Sequence, residues 1–249
     1  MPAESALISG SVQLVAIGGP PALEGAGQGH PTRAIFASGG STDFSIAAPT
    51  GGITNVSQLA GKKVGVGVGT IMQQYLNYIL AKKGLTGKVT VVNLANVADA
   101  YPALINHSID AYVDSGTQVA EWKAKGGVTS IENSFQDYPS YGSSSVVAVT
   151  KSFLKAHPNI QQAYWALYSE GEKLIRQNPT AYLAWTAKNA GIPLSIEKQT
   201  ARITYQSTPI STSGVTAAQQ AQQFLLSAKL IPKLVNLKSW FVNYPTGTT

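Results

Sequence analysis

The chain has 249 residues, 44% of them hydrophobic, which is enough for one large domain or two lobes with sizeable cores. It has no cysteine, so this sequence holds no disulfide, no thiolate nucleophile and no cysteine-ligated metal. The net charge is +6, but the basic residues are scattered with no run longer than two lysines, so we expect no nucleic-acid partner.

Apolar runs and turn residues predict strands that alternate with helices over the first 150 residues. Short connections between such elements are typical of an α/β protein with mainly parallel sheets. The predicted elements, in chain order, are helix 3–9, strand 12–17, helix 22–26, extended segments 33–37 and 44–48, a helical turn from 54, strand 63–68, helix 71–83, strand 89–94, helix 97–106, strand 109–114, helix 116–125 and strand 128–131.

The second part of the chain has a different pattern. Residues 133–145 are polar and predicted to be irregular, residues 145–150 form a buried strand, and the chain from Lys151 onward is predicted to be helical. The last ten residues, from Trp240, are predicted to be a surface extension. Helix 159–177 should bury one apolar stripe, made of Ile160, Ala163, Tyr164, Leu167, Leu174 and Ile175.

One short pattern occurs twice. Residues 6–15 (ALISGSVQLV) and 103–113 (ALINHSIDAYV) each predict a helix end, a turn and a strand, followed by small or polar residues and another helix. Gly10 in the first copy corresponds to His107 in the second, so His107 is predicted to be a surface turn residue. The repeat suggests two similar α/β lobes facing a cleft that encloses a small molecule.

Four segments resemble one known family, the substrate-binding proteins of ABC importers for aliphatic sulfonates, taurine and nitrate. They lie in the family's order and together cover most of residues 5–180. They are Ala6–Leu14 with Gly18–Pro21, Ile53–Val66, Ala100–Val113, and Ser145–Leu154 followed by His157 and Pro158. Gln13 departs from the family, which usually has Asp there.

The resemblance implies a two-lobed type II periplasmic-binding fold with mainly parallel sheets and a helical C-terminal region. It places residues 1–50 and 145–249 in the first lobe and residues 51–144 in the second. It implies a periplasmic or extracellular, membrane-associated location. The family's first strand, helix and second strand, and its signal peptide, precede the segment that opens this sequence, so we expect that they are missing here.

The candidate ligand-binding residues lie where predicted strands end and helices begin, because open α/β sheets bind ligands there. In the first lobe these are Gly18, Gly19 and Pro20, where glycine lets the backbone approach a ligand closely. The alternative is an ordinary tight turn. In the second lobe they are Gly69, Thr70 and Ile71, where free N–H groups could hold an anion; the alternative is a Thr N-cap.

Further candidates are Asp114 and Ser115 in the second copy of the repeat, and Tyr141 and Ser143 in the irregular stretch. Asp114 would repel a sulfonate but could hold an ammonium group, as in taurine-like zwitterions; the alternative is a helix cap. Asp43 is the best lone carboxylate of the first half, although a plain loop residue is the favoured interpretation. The isolated histidines have no metal-site spacing, so we expect no metal, cofactor or catalytic group.

The sequence therefore favours a non-enzymatic solute-binding protein that takes a small anionic or zwitterionic solute, most readily a sulfonate or taurine, and docks on a membrane permease. Two alternatives stay open. One is an enzyme of the same fold, such as a sulfinate desulfinase, which would use a cysteine, or a pyrimidine-precursor synthesis enzyme, which would use cysteine- and histidine-rich motifs. The other is a cytosolic effector-binding domain.

Overall fold

The computed structural model describes residues 2–40, 43–138, 143–201 and 203–245. Its strands are β1 (Val15–Gly18), β2 (Thr32–Gly40), β3 (Phe44–Pro49), β4 (Lys63–Val66), β5 (Thr90–Asn93), β6 (Ala111–Ser115), β7 (Val128–Asn133) and β8 (Ser143–Thr150). Its helices are α1 (Pro2–Ile8), α2 (Gly19–Gly27), α3 (Ile71–Lys82), α4 (Ala100–Ile105), α5 (Gly116–Lys125), α6 (Ser134–Asp137), α7 (Lys151–Ala156), α8 (Ile160–Gln177), α9 (Pro179–Ala190), α10 (Leu194–Thr200), α11 (Thr212–Ser227) and α12 (Leu237–Trp240).

The chain divides into two compact units. Unit 1 contains Met1–Ser41, Ser140–Gln177 and Ile203–Thr249, and unit 2 contains Thr42–Pro139 and Asn178–Arg202. These bounds differ from the predicted lobes chiefly at β3 and at helices α9 and α10. β3 falls in unit 2 because it is hydrogen-bonded between β6 and β7. Helices α9 and α10 also fall in unit 2, where α10 packs against α5.

Unit 1 is built on a three-stranded antiparallel sheet in the order β1-β8-β2. The central strand β8 carries a continuous apolar run, so its side chains pack on both faces. Val146 joins a core with α2 and α11, whereas Val147 and Val149 pack against α7 and α8. The sheet thus lies between two helical layers, and α2 and α11 both cover one face.

The C-terminal segment corrects one prediction. Trp240 and Phe241 are each only 3% exposed and belong to the core between α2, α11 and β2, so they are not a surface extension. Phe241 also forms a bridge with Ala34 of β2, and the Trp240 indole N–H donates to the Thr32 hydroxyl at 3.3 Å.

Unit 2 is built on a five-stranded mixed sheet in the order β5-β4-β6-β3-β7. β4 runs parallel to β5 and β6, and β3 runs antiparallel to β6 and β7. The prediction of mainly parallel sheets is therefore wrong for the described strands, because β1, β2, β3, β7 and β8 all pair antiparallel. The α/β class itself is confirmed.

The two faces of this sheet have separate cores. On one face Phe44 of β3 stacks on Tyr75 of α3, with ring centroids 5.0 Å apart. On the other face Tyr112 of β6 packs edge-on against Trp122 of α5 at 5.6 Å, among residues of α4. Helices α3 and α5 are therefore held against the sheet by aromatic contacts.

Candidate functional site

Unit 2 brings two strand-to-helix junctions to one edge of its sheet. β4 and β6 are parallel neighbours, and each is followed within a few residues by a helix, α3 or α5. The register pairs Val64 with Ala111 and Gly65 with Tyr112. Adjacent strands lie about 4.8 Å apart, so the β4–α3 loop follows a strand that directly neighbours β6.

The β4–α3 loop is held by its own hydrogen bonds. Gly69 has φ +79°, a left-handed conformation that suits glycine. Thr70 caps α3, and its hydroxyl donates to the Gly67 carbonyl at 2.6 Å. The hydroxyl proton is thus used inside the loop. The backbone N–H groups of Ile71 and Met72, which have no intrahelical acceptor, are the donors that this junction offers.

At the β6–α5 junction, Ser115 rather than Asp114 caps the helix. The Ser115 hydroxyl accepts from the Gln118 N–H at 3.2 Å, and Asp114 Oδ1 accepts from the Ser115 N–H at 2.7 Å. Asp114 is only 6% exposed. Burial raises the pKa of Asp114 to about 6, although the hydrogen bonds from Ser115 act in the opposite direction.

The first turn of α5 is also packed against Asp43. A Cβ atom on Gly116 would lie 2.1 Å from Asp43 Oδ2, so only glycine allows this approach. The Gly116 N–H donates to the Asp43 carbonyl at 2.7 Å, and Asn133 Nδ2 donates to Asp43 Oδ1 at 2.6 Å. Asp43 is therefore more than a loop residue, because its carboxylate faces the positive end of the helix dipole.

Unit 1 has a comparable junction between β1 and α2. Gly18 precedes the helix, and Pro20 and Pro21 stand in its first turn, so Gly19 has the only N–H among the first three helical residues. A Cβ on Gly19 would lie 1.9 Å from Ser144 Oγ. Ser144 is 2% exposed, and its Oγ finds no hydrogen-bond partner within the described parts of the chain.

A second helix of unit 1 begins at the same edge of the sheet. The Ser211 hydroxyl caps α11 by accepting from the Gly214 N–H at 2.9 Å, and it also accepts from the Gly39 N–H at 3.0 Å. Gly39 pairs with Ser144 in the sheet register. The start of β8 therefore lies beside the N-terminal turns of both α2 and α11, where hydroxyl and N–H groups are concentrated.

The structure sorts eight of the ten predicted site residues into two groups. Gly18, Gly19 and Pro20 adjoin Ser144 in unit 1, while Gly69, Thr70, Ile71, Asp114 and Ser115 lie at one sheet edge in unit 2. Ser143 is the first residue of β8, and Tyr141 lies outside the described residues. The sequence analysis missed Ser144 and Ser211. A serine run before an apolar strand and a Ser before a helix were the signals that could have found them.

A separate polar pocket of about 410 Å³ lies beside α5 and β7 in unit 2. Its lining includes Asp43, Ser45, Lys123, Ser130 and Asn133, and it contains none of the ten predicted residues. The Ser45 and Ser130 hydroxyls are 2.8 Å apart, and both lie within hydrogen-bond distance of the Glu132 carbonyl. These serines are therefore satisfied within the protein.

Over the described ranges, no three His, Asp or Glu side chains converge as a metal site would require. Of the helices described, none combines the length and the apolar character needed to cross a bilayer.

Residues 3–182 match the family model described as NMT1/THI5 like. The chain belongs to this family. The predicted kinship with periplasmic-binding-type proteins is thereby confirmed, since the model match covers well over half of the chain. A comparison with curated protein sequences gave no significant match.

Solved structures of the same fold include sulfonate-binding proteins. The periplasmic aliphatic sulphonate binding protein SsuA from Escherichia coli is 22% identical with a TM-score of 0.76, over 97% of this chain and 79% of that one. The alkanesulfonate-binding protein SsuA from Xanthomonas axonopodis pv. citri, bound to MOPS, is 21% identical with a TM-score of 0.79, over 96% of this chain and 83% of that one.

An enzyme shares the fold as well. The desulfurization enzyme DSZB is 16% identical with a TM-score of 0.69, over 92% of this chain and 82% of that one. At these identities the likenesses establish the periplasmic-binding-protein-like fold.

Proposed function

We propose that this protein is the solute-binding component of an ABC importer and works outside the cytoplasmic membrane. Its solute is a small anionic or zwitterionic molecule, most readily an aliphatic sulfonate such as taurine. The solute-loaded protein docks on a membrane permease. The protein performs no chemistry on the solute.

The observation that carries the proposal is the Ser144 hydroxyl beside the N-terminus of α2. A buried hydroxyl without a partner loses the free energy of its hydrogen bonds to water, and such groups are rare in folded proteins. Ser144 Oγ lies against Gly19, the one N–H donor of the first turn, at a helix end that favours negative charge. An oxyanion of the solute would satisfy both groups.

Family membership and fold support the same reading. Two structures of this fold are described as sulfonate-binding proteins. Backbone donors and hydroxyls suit sulfonate, carboxylate and nitrate alike. We therefore expect the acidic group of the solute to be an oxyanion.

A thermal-shift screen tests this proposal, with taurine, alkyl sulfonates, nitrate, bicarbonate and aromatic carboxylates. A solute at about 100 times its dissociation constant adds about 2.7 kcal/mol, which is about 5–10 °C for a chain of this size. We expect a rise with one class of oxyanion. A cooperative transition that none of these solutes moves would contradict the proposal.

Two matched variants locate the site. Ser144→Ala should weaken the binding of the solute found by about tenfold or more, because a hydrogen bond to a charged group contributes about 1.5–3 kcal/mol. Ser169→Ala is the control, since Ser169 Oγ is also buried and unpartnered but lies on α8. Equal losses in both variants would show that Ser144 has no special role.

A desulfinase is the second candidate, because DSZB shares the fold with a TM-score of 0.69. The sequence has no cysteine to act as a nucleophile, which disfavours it. Release of sulfite from an aromatic sulfinate, measured with the purified protein, would favour the enzyme over the binding protein.

A further inference from the structure

The outer face of helix α8 in unit 1 carries exposed apolar side chains. Leu167 and Leu174 are 77% and 61% exposed, and they lie about two turns apart on the same side of the helix. The α8 outer face consists of the exposed residues Ala163, Ala166, Leu167, Glu170, Lys173 and Leu174. A surface helix normally turns a polar face to water, whereas apolar side chains grouped on one exposed face are typical of a contact with another molecule.

Contacts on the inner side of α8 hold these leucines outward. The Gln161 side chain donates to the backbone carbonyls of Ile35 at 3.0 Å and Val242 at 2.8 Å. Tyr164 and Tyr168 pack against Phe36 of β2. These contacts fix the rotation of the helix about its axis, so Leu167 and Leu174 stay exposed in the part of the chain that the structure describes and are available to another molecule.

The spacing of the leucines suits a two-fold symmetric contact. Leu167 and Leu174 lie at equal distances from a midpoint between Glu170 and Gly171. In an antiparallel pair of α8 helices about a two-fold axis through that midpoint, Leu167 of each copy meets Leu174 of the other. A Cβ atom on Gly171 would meet nothing within 4 Å among the described residues beyond its own helix, so there is room for a second helix to approach closely.

The charges of the α8 outer face match a second copy of the same helix. Glu170 and Lys173 are both exposed and pair at 3.1 Å within one helix. In the antiparallel pair, Glu170 of one copy lies about 3 Å along the helix axis from Lys173 of the other, so opposite charges meet twice. A parallel pair would set Glu170 against Glu170 and Lys173 against Lys173, which repel each other. A second copy thus supplies both the leucines and the charges that this face requires.

We propose that the α8 outer face is a dimerisation surface, on which α8 of a second copy of this chain packs antiparallel about a two-fold axis near Gly171. The contact is centred on one helix of 18 residues, about 27 Å long, and is therefore smaller than the interface of a permanent dimer. We expect a reversible dimer with a dissociation constant in the micromolar to millimolar range.

This inference does not depend on the proposed function. Helix α8 packs on the sheet face that carries Val147 and Val149, whereas α2 and Val146 lie on the other face. Ser144 lies against Gly19, at the start of α2. Solute affinity should therefore be the same in the monomer and in the dimer, and Ser144→Ala should leave dimerisation unchanged, so each claim is tested separately.

Sedimentation equilibrium of the purified protein, from micromolar to millimolar concentration, tests the proposal. We expect the mass to rise reversibly toward that of two chains. Leu167→Lys should weaken the dimer at least about tenfold, because the change replaces a buried leucine by a charge at two places in the interface. A wild-type chain that stays monomeric over the whole range would overturn the proposal and leave the face to a different partner.

Leu234→Lys is the matched control. Leu234 is 42% exposed and lies outside α8, so the same substitution there should leave the dissociation constant unchanged. Circular dichroism of both variants shows whether they keep the wild-type fold. Equal weakening of the dimer by the two variants would show an effect of net charge and would contradict the assignment to α8.

The lack of cysteine in the sequence allows a test of the direction of pairing that keeps the face apolar. Leu167→Cys and Leu174→Cys each introduce a single thiol, and the two variants are mixed in equal amounts with oxidised glutathione. The antiparallel pair predicts disulfides that join position 167 to position 174 severalfold more often than either position to itself. Mostly same-position disulfides, or no disulfide between chains, would contradict the proposed packing.

Discussion

Gly19 and Gly116 hold matching places in the two units, each as the first residue of a helix that follows a strand. In each unit a polar side chain, Ser144 Oγ or Asp43 Oδ2, lies where a Cβ atom would stand. The sequence repeat predicted this correspondence of junctions. It could not predict the side chain that packs against each glycine, because Ser144 and Asp43 come from distant parts of the chain.

The two copies of the repeat also share the backbone conformation of one turn residue. Gly10 has φ +80°, and His107, its counterpart, has φ +59°. A left-handed residue is uncommon outside glycine, so the shared conformation reflects a shared turn. The prediction that His107 is a surface turn residue is confirmed, since it is exposed.

Glu132 gives a prediction about stability and pH. Its Oε1 accepts from the Tyr75 hydroxyl, and its Oε2 is buried without a partner. Burial, with the nearby charges of Asp137 and Asp43, raises the pKa of Glu132 from 4.5 to about 7, although Tyr75 and Lys83 act the other way. The folded state therefore resists ionisation, and the free energy of unfolding should fall as pH rises from about 4.5 to about 7.

Glu132→Gln removes this charge and keeps an acceptor for Tyr75. It should raise the free energy of unfolding by about 1–3 kcal/mol near pH 8, where wild-type Glu132 is ionised, and change it little near pH 4.5. Urea unfolding at the two pH values measures the difference. Glu170→Gln is the control, because Glu170 is in an exposed pair with Lys173. A gain that is the same at both pH values would contradict this account.

At the scale of elements, the apolar stripe of α8 is the clearest error. Leu167 and Leu174 were predicted to be buried but are 77% and 61% exposed. Tyr164 of the predicted stripe does pack against Phe36 and its neighbours, but it does so together with Trp165 and Tyr168, which were not predicted. The predicted apolar residues and the packed aromatic residues both recur at helical spacing. Periodicity alone does not show which of these faces packs against the sheet.

The prediction that residues 133–145 are irregular was partly wrong, and the reason is local. Residues 134–137 form the short helix α6, because Asn133 caps it by accepting from the Phe135 N–H at 3.1 Å. An Asn before a polar segment is a start signal that could have been used. Strand β8 also begins two residues earlier than predicted, at Ser143.

The cap of α11 should contribute more to the free energy of unfolding than an ordinary helix cap does. Ser211 Oγ accepts from Gly214 and Gly39 and donates to the Ala37 carbonyl at 3.0 Å, so it ties α11 to β2. Ser211→Ala should lower the free energy of unfolding by about 2–3 kcal/mol, because two N–H groups lose their acceptor.

Asn178→Ala is the comparison for that variant. The Asn178 side chain caps α9 through one bond, from the Ala181 N–H at 2.9 Å, so about 1 kcal/mol should be lost. Both values come from urea unfolding followed by circular dichroism. Equal losses would mean that the link to β2 contributes nothing.

At the scale of the whole molecule, the sequence predicted the family, the α/β class and the order of nearly all elements. These follow from local periodicity and from the order of the motifs. Both can be read without knowing which distant residues are in contact. The direction of strand pairing did not follow, since β3 and β8 each join strands distant in the chain. The placement of β3 in unit 2 could not be predicted for the same reason.

The sequence predicted the kind of position that forms the candidate site, but it did not identify all of the residues. Strand ends before helices identified Gly19, Thr70 and Asp114, because ligands of α/β proteins bind at such ends. Ser144 and the second helix start at Ser211 became visible only through the pairing of β8 with β1 and β2. The protein's proposed role as a binding protein depends on the Ser144 hydroxyl and the Gly19 N–H, which lie together in unit 1.

The most direct test is a calorimetric titration of the purified protein with the oxyanion that gives the largest thermal shift, followed by recovery of that ligand. We predict saturable binding of one ligand per chain, weakened about tenfold by Ser144→Ala, with the ligand recovered chemically unchanged. No saturable binding of any oxyanion, or conversion of the ligand to a product, would contradict a solute-binding role.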